Sequence, residues 1–115
     1  MRITLDDAMA RLGDRAQPRF EVMLRHGSLL AEVYAPRGHD PQQPHTRDEV
    51  YVVMRGRGWF VDGDERHRVG PGDLLFVPAH RPHRFEDFDD DFCTWVMFYG
   101  PEGGERPDPT TTEPR

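Results

Sequence analysis

Apolar and polar residues alternate along much of the chain, a pattern typical of β-strands that bury one face. The predicted strands cover residues 19–25, 28–34, 49–54, 59–61, 74–78 and 92–99. Turns rich in glycine and proline separate them, and Asp62-Gly63-Asp64 is a strong hairpin signal. Six to eight short strands punctuated in this way predict a small β-sandwich or β-barrel.

One short helix is predicted before the strands. Thr4 can cap its first free N–H groups, and Asp6 and Asp7 would lie at the positive end of the helix dipole. Apolar residues continue to Leu12, and Gly13 ends the segment. The chain is therefore expected to be all-β with a short N-terminal helix.

The length of 115 residues is that of one domain with one core. No internal repeat divides it, so we expect a single barrel with its helix over residues 1–100. Residues 101–115 are mostly Glu, Gly, Pro and Thr, and they predict a poorly ordered C-terminal tail that packs at most at its beginning.

Composition narrows the functional classes. Eleven glycines and eleven prolines argue against a helical bundle, and a formal net charge of −6 argues against a nucleic-acid-binding protein. No apolar run is long enough to cross a membrane, and no signal peptide begins the chain. A single cysteine, Cys93, cannot form an internal disulfide, so we expect a cytoplasmic protein. Because lysine is absent, Schiff-base and P-loop lysine chemistry are excluded.

The candidate chemistry lies in the histidines and one glutamate. His45 and Glu49 would be about 13 Å apart on a fully extended strand, so they can share a metal ion only if the chain bends between them. Pro44 and the residues before Glu49 make such a bend plausible. His83 follows a turn with two prolines. Two imidazoles and one carboxylate are a common ligand set for Fe, Mn, Ni, Co or Zn.

Two motifs in the right order give the chain a resemblance to the cupin family. The first motif is a glycine, five residues, His-x-His, three or four residues, a glutamate, six residues and a second glycine. The corresponding residues are Gly38, Gln43-Pro44-His45, Glu49 and Gly56. The second motif is a glycine, five residues, Pro-x-Gly, two residues, His, three residues and Asn. It corresponds to Gly72, Pro78-Ala79-His80, His83 and Asp87.

The resemblance implies a cupin jelly-roll β-barrel, an antiparallel double-stranded β-helix, holding one divalent metal ion. Carried over by position, the metal ligands are His45, Glu49 and His83. Gln43 stands where the family has its first metal-binding histidine, and its carbonyl oxygen is a weaker donor toward Zn or Fe. It is either a fourth ligand or a loop residue that bonds the backbone. The metal itself is not identified by these donors.

The same residues admit a second interpretation, a buried polar network without metal. The two interpretations lead to two functions: a metal-dependent dioxygenase or isomerase acting on a small molecule, or a non-catalytic, small-ligand-binding or structural cupin. For the enzyme, Glu49 would offset one of the two metal charges, leaving a site that attracts a carboxylate, sugar acid or diketone. No catalytic residue is identified beyond the metal ligands, although Tyr51, His80 and His39 are considered as helpers. The resemblance also implies a homodimer, with the first strand pair (residues 19–34) offering an edge.

Overall fold

The computed structural model describes residues 1–106, which form one short helix and eight strands. The elements are α1 (Leu5–Leu12), β1 (Phe20–His26), β2 (Leu29–Tyr34), β3 (Asp48–Arg55), β4 (Gly58–Asp62), β5 (Glu65–Val69), β6 (Leu74–Val77), β7 (His83–Glu86) and β8 (Cys93–Tyr99). The predicted all-β class with an N-terminal helix is confirmed. In this part of the chain, no helix has the length and apolarity that a membrane span needs.

The strands form two antiparallel sheets. The larger has the order β1-β2-β8-β3-β6, and the smaller has the order β5-β4-β7. The inner face of the larger sheet carries Tyr51, Val53 and Val96, which pack against Phe60 and Phe85 of the smaller sheet. This main core therefore lies between the sheets, as alternation along the strands requires.

The helix covers part of the outer face of the larger sheet. Its capping box is complete, because Thr4 Oγ1 accepts from the Asp7 N–H at 3.0 Å and the Asp7 carboxylate accepts from the Thr4 N–H. Ala8 and Leu12 pack on Val33 and Cys93 in a second, smaller core. Cys93 is thus a buried apolar contact, as predicted.

Strands β5 and β7 have weak or no sequence signals, for different reasons. Residues Glu65 to Arg68 of β5 are all exposed, so no apolar alternation marks this strand, which forms as the return of the predicted hairpin. β7 alternates buried His83 and Phe85 with polar residues but is only four residues long.

Backbone conformation explains the turn residues of both motifs. Gly56 has φ +75°, and a Cβ there would lie 2.8 Å from the Cα of Phe92, so only glycine fits. Gly72 has φ +92°, which favours glycine, although a Cβ there would meet no other atom within 4 Å. His80 and Asp87, which replace the family's Gly and Asn, also have positive φ, at 68° and 48°. These two positions keep the left-handed geometry that Gly and Asn favour.

The segment after β8 folds back onto the barrel over its described length. Gly103 donates its N–H to Thr46 O at 2.7 Å, and Glu105 donates its N–H to Asp48 Oδ2 at 2.8 Å. Asp48 also accepts from Ala79 N at 2.9 Å, so one buried carboxylate joins β3, the loop before β7 and this segment. The division into residues 1–100 and a tail 101–115 stays a prediction, and residues 107–115 lie outside the described part.

Candidate metal centre

The chain bends between His45 and Glu49. β3 begins only at Asp48, and residues 46 and 47 form a bend before it. His45 Nε2 consequently lies 3.9 Å from Glu49 Oε1, far closer than an extended strand allows. The backbone fixes this loop from the other side, because His80 N donates to His45 O at 2.6 Å. The predicted bend is therefore present.

His83 reaches the same point from the smaller sheet. It is the first residue of β7, and its Nε2 lies 2.7 Å from Glu49 Oε1. The side chains of His83 and Glu49 are 0% and 1% exposed, whereas that of His45 is 36% exposed. One possible ligand atom from each of the three residues lies within 4.8 Å of the others. The three predicted ligands thus form a cluster with two buried members and one that opens outward.

With a neutral His83 ring, the cluster contains hydrogen-bond acceptors that face one another with no donor between them. His83 Nδ1 lies 2.8 Å from the carbonyl of Arg81, which can only accept, so Nδ1 carries the proton. In the neutral ring, Nε2 therefore presents a lone pair to the Glu49 carboxylate. Neither oxygen of Glu49 has a hydrogen-bond partner of good geometry among residues 1–106. A buried carboxylate facing an imidazole lone pair is unfavourable, and either a proton on His83 Nε2 or a metal ion bound by both groups removes the repulsion.

Tyr51 lies beside the cluster on the inner face of β3. Its hydroxyl is 2.8 Å from Gln42 Oε1 and 3.1 Å from His83 Nε2. Because an amide oxygen can only accept, the hydroxyl proton points to Gln42, and the phenol oxygen faces His83. Burial and the charge of Glu49 together raise the pKa of Tyr51 well above its usual value. Tyr51 therefore holds its proton in this arrangement.

The pKa values of the two histidines are shifted in opposite directions. Burial lowers the pKa of His45, and this outweighs the attraction of Glu49. Burial also acts to lower the pKa of His83, but the contacts with Glu49 and the Arg81 carbonyl outweigh it and raise the pKa. His83 is thus the ring on which a proton would relieve the contact with Glu49 in the absence of metal.

Gln42, rather than the adjacent Gln43, belongs to the hydrogen-bond network around the cluster. Its Oε1 accepts from Tyr51 and lies 3.4 Å from His45 Nε2, while its Nε2 donates to Asp40. The Asp40 carboxylate also accepts from Tyr34 and from the Phe85 N–H. Gln43, the predicted fourth ligand, is exposed and lines the cavity. Its role as a ligand stays a prediction.

A cavity of about 460 Å³ opens above the cluster. Its walls are mainly aromatic, aliphatic and carboxyl side chains. The lining residues are Pro18, Phe20, Glu32, Tyr34, Pro41, Gln42, Gln43, His45, Glu49, Tyr51, Val96 and Phe98. This volume suits a small metabolite.

The donors fit a divalent metal ion. Two imidazole nitrogens and a carboxylate match the ligand sets of Fe, Mn, Co, Ni and Zn, and the unpartnered Glu49 oxygens supply the negative charge that such an ion needs. His83 has the outer hydrogen bond that commonly orients a ligating imidazole, from Nδ1 to a backbone carbonyl.

Three residues near the site have no sequence pattern that marks them as functional. Asp40, Gln42 and Glu32 belong to no motif, and only their inward direction in the fold reveals them. Tyr51, considered as a helper from the sequence, lies two residues after Glu49 and so on the same face of β3, and it lines the cavity. His39 and His80, considered as helpers, do not line the cavity, and His26 and His67 are exposed.

Comparison with known proteins gives the same family as the motifs. The profile of the cupin domain family matches residues 31–99. An uncharacterised protein of Streptomyces coelicolor is 40% identical over 63 residues, which cover 55% of this chain and 60% of that protein. Dimethylsulfoniopropionate lyase DddQ of Ruegeria pomeroyi is 34% identical over 70 residues, 59% of this chain and 35% of the lyase. The match thus covers less than two thirds of either relative's length.

Solved structures agree on the fold. A cupin-2 domain protein of Shewanella frigidimarina has a TM-score of 0.67 at 15% identity, over 85% of this chain and 94% of that one. The crystal structure of DddQ from Ruegeria pomeroyi has a TM-score of 0.60 at 31% identity, over 86% of this chain and 55% of that one. The predicted cupin jelly roll is therefore confirmed, and the chain belongs to the cupin domain family.

Proposed function

We propose that this cupin is a metal-dependent enzyme that moves a proton next to a carbonyl or carboxylate group of a small molecule. The observation that supports it most strongly is the buried Glu49 carboxylate, which has no hydrogen-bond partner among residues 1–106 and faces two imidazoles. His45, Glu49 and His83 are the proposed ligands of one divalent ion, with Gln43 the predicted fourth. Bound there, the ion would supply Lewis-acid polarisation of a substrate oxygen.

The side chains around the ligands support proton transfer. Tyr51 places a hydroxyl group on the cavity wall, next to His83 and hydrogen-bonded to Gln42. It can exchange a proton with a substrate held above the cluster, while Gln42 holds the phenol in place. Val96 and Phe98 line the same wall and exclude water from the substrate's carbon atoms.

Of the two reactions considered from the sequence, this arrangement favours isomerisation over oxygenation. Elimination is a further reaction that the same side chains could catalyse. Both isomerisation and elimination begin by removing a proton beside a polarised group. Tyr51 holds its own proton when no metal ion is present; with a divalent ion at the cluster offsetting the charge of Glu49, the phenolate would be favoured and could accept the substrate's proton. The name of the relative from Ruegeria pomeroyi, a lyase, supports the inclusion of elimination. The reaction class is therefore proton abstraction, with the substrate left open among small carboxylates and carbonyl compounds.

The experiment is deuterium exchange into candidate substrates. Metal-loaded protein is incubated in D₂O with small carboxylates and ketones, and exchange at the adjacent carbon is followed by NMR. The proposal expects exchange with at least one compound, its loss on chelation, and its loss in Tyr51→Phe. Metal-loaded protein that binds such compounds without exchanging any proton would contradict it.

A non-catalytic cupin is the second candidate, and the titration of His83 favours it. A proton on His83 satisfies the cluster without any metal, in line with the raised pKa of this ring. In that case the domain would bind a small ligand in the cavity or serve a structural role. Purified protein would then hold no stoichiometric metal, and its stability would not depend on chelators.

We also propose that the protein forms a homodimer through its larger sheet. Leu74 and Phe76 on edge strand β6 are 70% and 51% exposed. They are in register with Val52 and Val50 of β3, which face the same side. An apolar outer face beside an open strand edge is typical of a surface that a second copy covers. β1, the edge considered from the sequence, is the other edge of this sheet.

A further inference from the structure

Glu32 is an acidic side chain on the inner wall of the barrel, outside the proposed metal ligands. It lies in β2 between two inward-facing residues, Leu30 and Tyr34, and pairs with Val96 of β8. Like Val96 it lines the cavity. An acid at this point interrupts an otherwise apolar stretch of the inner face, and the fold does not require it.

No basic side chain among residues 1–106 forms a salt bridge with this acid. The charged side chains that act on Glu32 are Glu49, which repels it, and Arg25, which attracts it without lining the cavity. Glu32 is partly buried and has no side-chain hydrogen bond or salt bridge to residues 1–106, so a partner for its carboxylate is expected in the cavity that it lines.

The surroundings of Glu32 suit a cation. Four aromatic residues line the same cavity: Phe20 and Tyr34, which pair across β1 and β2, Tyr51 of β3 and Phe98 of β8. Aromatic faces attract cations, and most strongly where water is excluded. None of the arginines within residues 1–106 lines the cavity, and the chain has no lysine. No arginine or lysine side chain there competes for the carboxylate.

Glu49, the anionic residue among the proposed metal ligands, lies on the same inner face of the larger sheet but two strands away. Strand β8 separates β2 from β3, so the backbones that carry Glu32 and Glu49 are about 10 Å apart. With Glu49 as the only anionic ligand, a divalent ion would keep one positive charge and attract an anionic oxygen. The cavity would thus have a cationic end at the metal and an anionic end at Glu32.

We infer that Glu32, with the aromatic rings of the cavity, binds a cationic group on the substrate, which is therefore a small zwitterion with a carboxylate at its other end. This inference rests on the proposed function for the carboxylate end only. It narrows the range of substrates considered from the sequence, which were oxygen-rich anions and diketones. Glu32 is on this account a specificity-determining residue.

The charge state of Glu32 agrees with this role. Burial, and then the charge of Glu49, raise the pKa of Glu32 to about 7. A cation bound beside the carboxyl favours its ionised form and displaces the proton. Binding of the cationic group should therefore release a proton near neutral pH.

The test compares two ligands of the same shape. Glycine betaine and 3,3-dimethylbutanoate share a carboxylate and differ in one atom, a quaternary nitrogen in place of a quaternary carbon. Calorimetric titration of metal-loaded and chelator-treated protein measures the ratio of their affinities. We expect the wild type to bind betaine at least tenfold more tightly than the neutral-ended isostere, and Glu32→Gln to reduce that ratio to within about twofold of one.

Controls separate this inference from the metal proposal. Glu102→Gln changes the net charge equally at an exposed position outside the cavity lining and should keep the wild-type ratio. Circular dichroism confirms that the variants are folded, and metal content is measured on the same samples. An unchanged ratio in folded Glu32→Gln, a preference for the isostere, or no binding of either ligand would overturn the assignment of Glu32. If the wild type binds no metal ion but still prefers betaine, the metal proposal alone would be overturned.

Discussion

His83 Nε2 lies 2.7 Å from Glu49 Oε1, and the side chains of both residues are buried. The His83 ring is oriented by its Nδ1 contact with the Arg81 carbonyl, so in the neutral ring two acceptors face each other across this short distance. The two residues come from different sheets, which are held together by the aromatic core around Tyr51, Phe60 and Phe85. The fold thus imposes an electrostatic conflict that a cation resolves.

Replacing Gln42 tests how the ligands are oriented. Gln42→Ala removes the acceptor of the Tyr51 hydroxyl and the amide group next to His45. Metal affinity should fall about tenfold, as is common when an outer hydrogen bond to a metal site is lost. Gln43→Ala is compared with it as a test of the predicted fourth ligand, because Gln43 is exposed and lines the cavity. Competition titration against a chromogenic chelator measures both. A larger loss in Gln43→Ala than in Gln42→Ala would show that Gln43 is the more important donor.

Tyr51→Phe separates proton transfer from metal binding. The variant keeps the buried ring that packs against Phe60 and Phe85 and loses only the hydroxyl. Metal affinity should change less than tenfold, while proton exchange into an active substrate should slow by about 10²- to 10⁴-fold. An exchange rate within threefold of the wild type would exclude Tyr51 as the proton-carrying group.

Much of this site is predictable from sequence, because local chemistry determines it. The motif spacing gives His45, Glu49 and His83, and Pro44 with the residues after His45 suggests the bend that brings the first two together. Helix α1 is predicted by its cap and by Gly13.

Contacts between distant segments are not predictable in this way. The direction of the Gln42 side chain depends on Tyr51 and Asp40, which belong to different segments. The importance of Glu32 appears only when β2 is placed beside β8 and the acid is seen to face the cavity. Strand β5 lacks an apolar pattern, since its first four residues are exposed and pairing with β4 alone defines it.

Glu32 should make the metal-free protein less stable as pH rises. Its pKa is about 7 in the folded state and near 4.5 when exposed, so between these values the folded state holds more protons than the unfolded state. Stability is therefore lost as pH rises from about 5 through 7. Relative to wild type, Glu32→Gln should gain on the order of 2 kcal/mol at pH 8 and almost nothing at pH 4.5. Urea denaturation in the presence of a chelator measures this difference. The repulsion from Glu49 and the attraction of Arg25 act on the same carboxyl. An equal effect at both pH values would contradict the assigned titration.

The outer face of the larger sheet should control the oligomeric state. Phe76→Asp places a charge on exposed edge strand β6 without touching the core between the sheets. We expect the wild type to be a dimer in sedimentation velocity and the variant to be a monomer of unchanged secondary structure. Phe20→Asp, at the exposed start of β1, is the matched control at the opposite edge. Dissociation by Phe20→Asp alone would place the interface at β1, and a monomeric wild type would contradict dimerisation altogether.

The metal content of purified protein tests the central claim most directly. Wild type and His83→Ala are prepared without chelators, incubated with Fe²⁺, Mn²⁺, Co²⁺, Ni²⁺ or Zn²⁺, desalted and analysed by inductively coupled plasma mass spectrometry. His67→Ala, at an exposed histidine of β5, is the control. We predict about one ion per chain in the wild type and in His67→Ala for at least one of these metals, and less than a tenth of that in folded His83→Ala. A wild type that retains none of the five metals, or His83→Ala that retains as much as the wild type, would contradict a metal site formed by His45, Glu49 and His83.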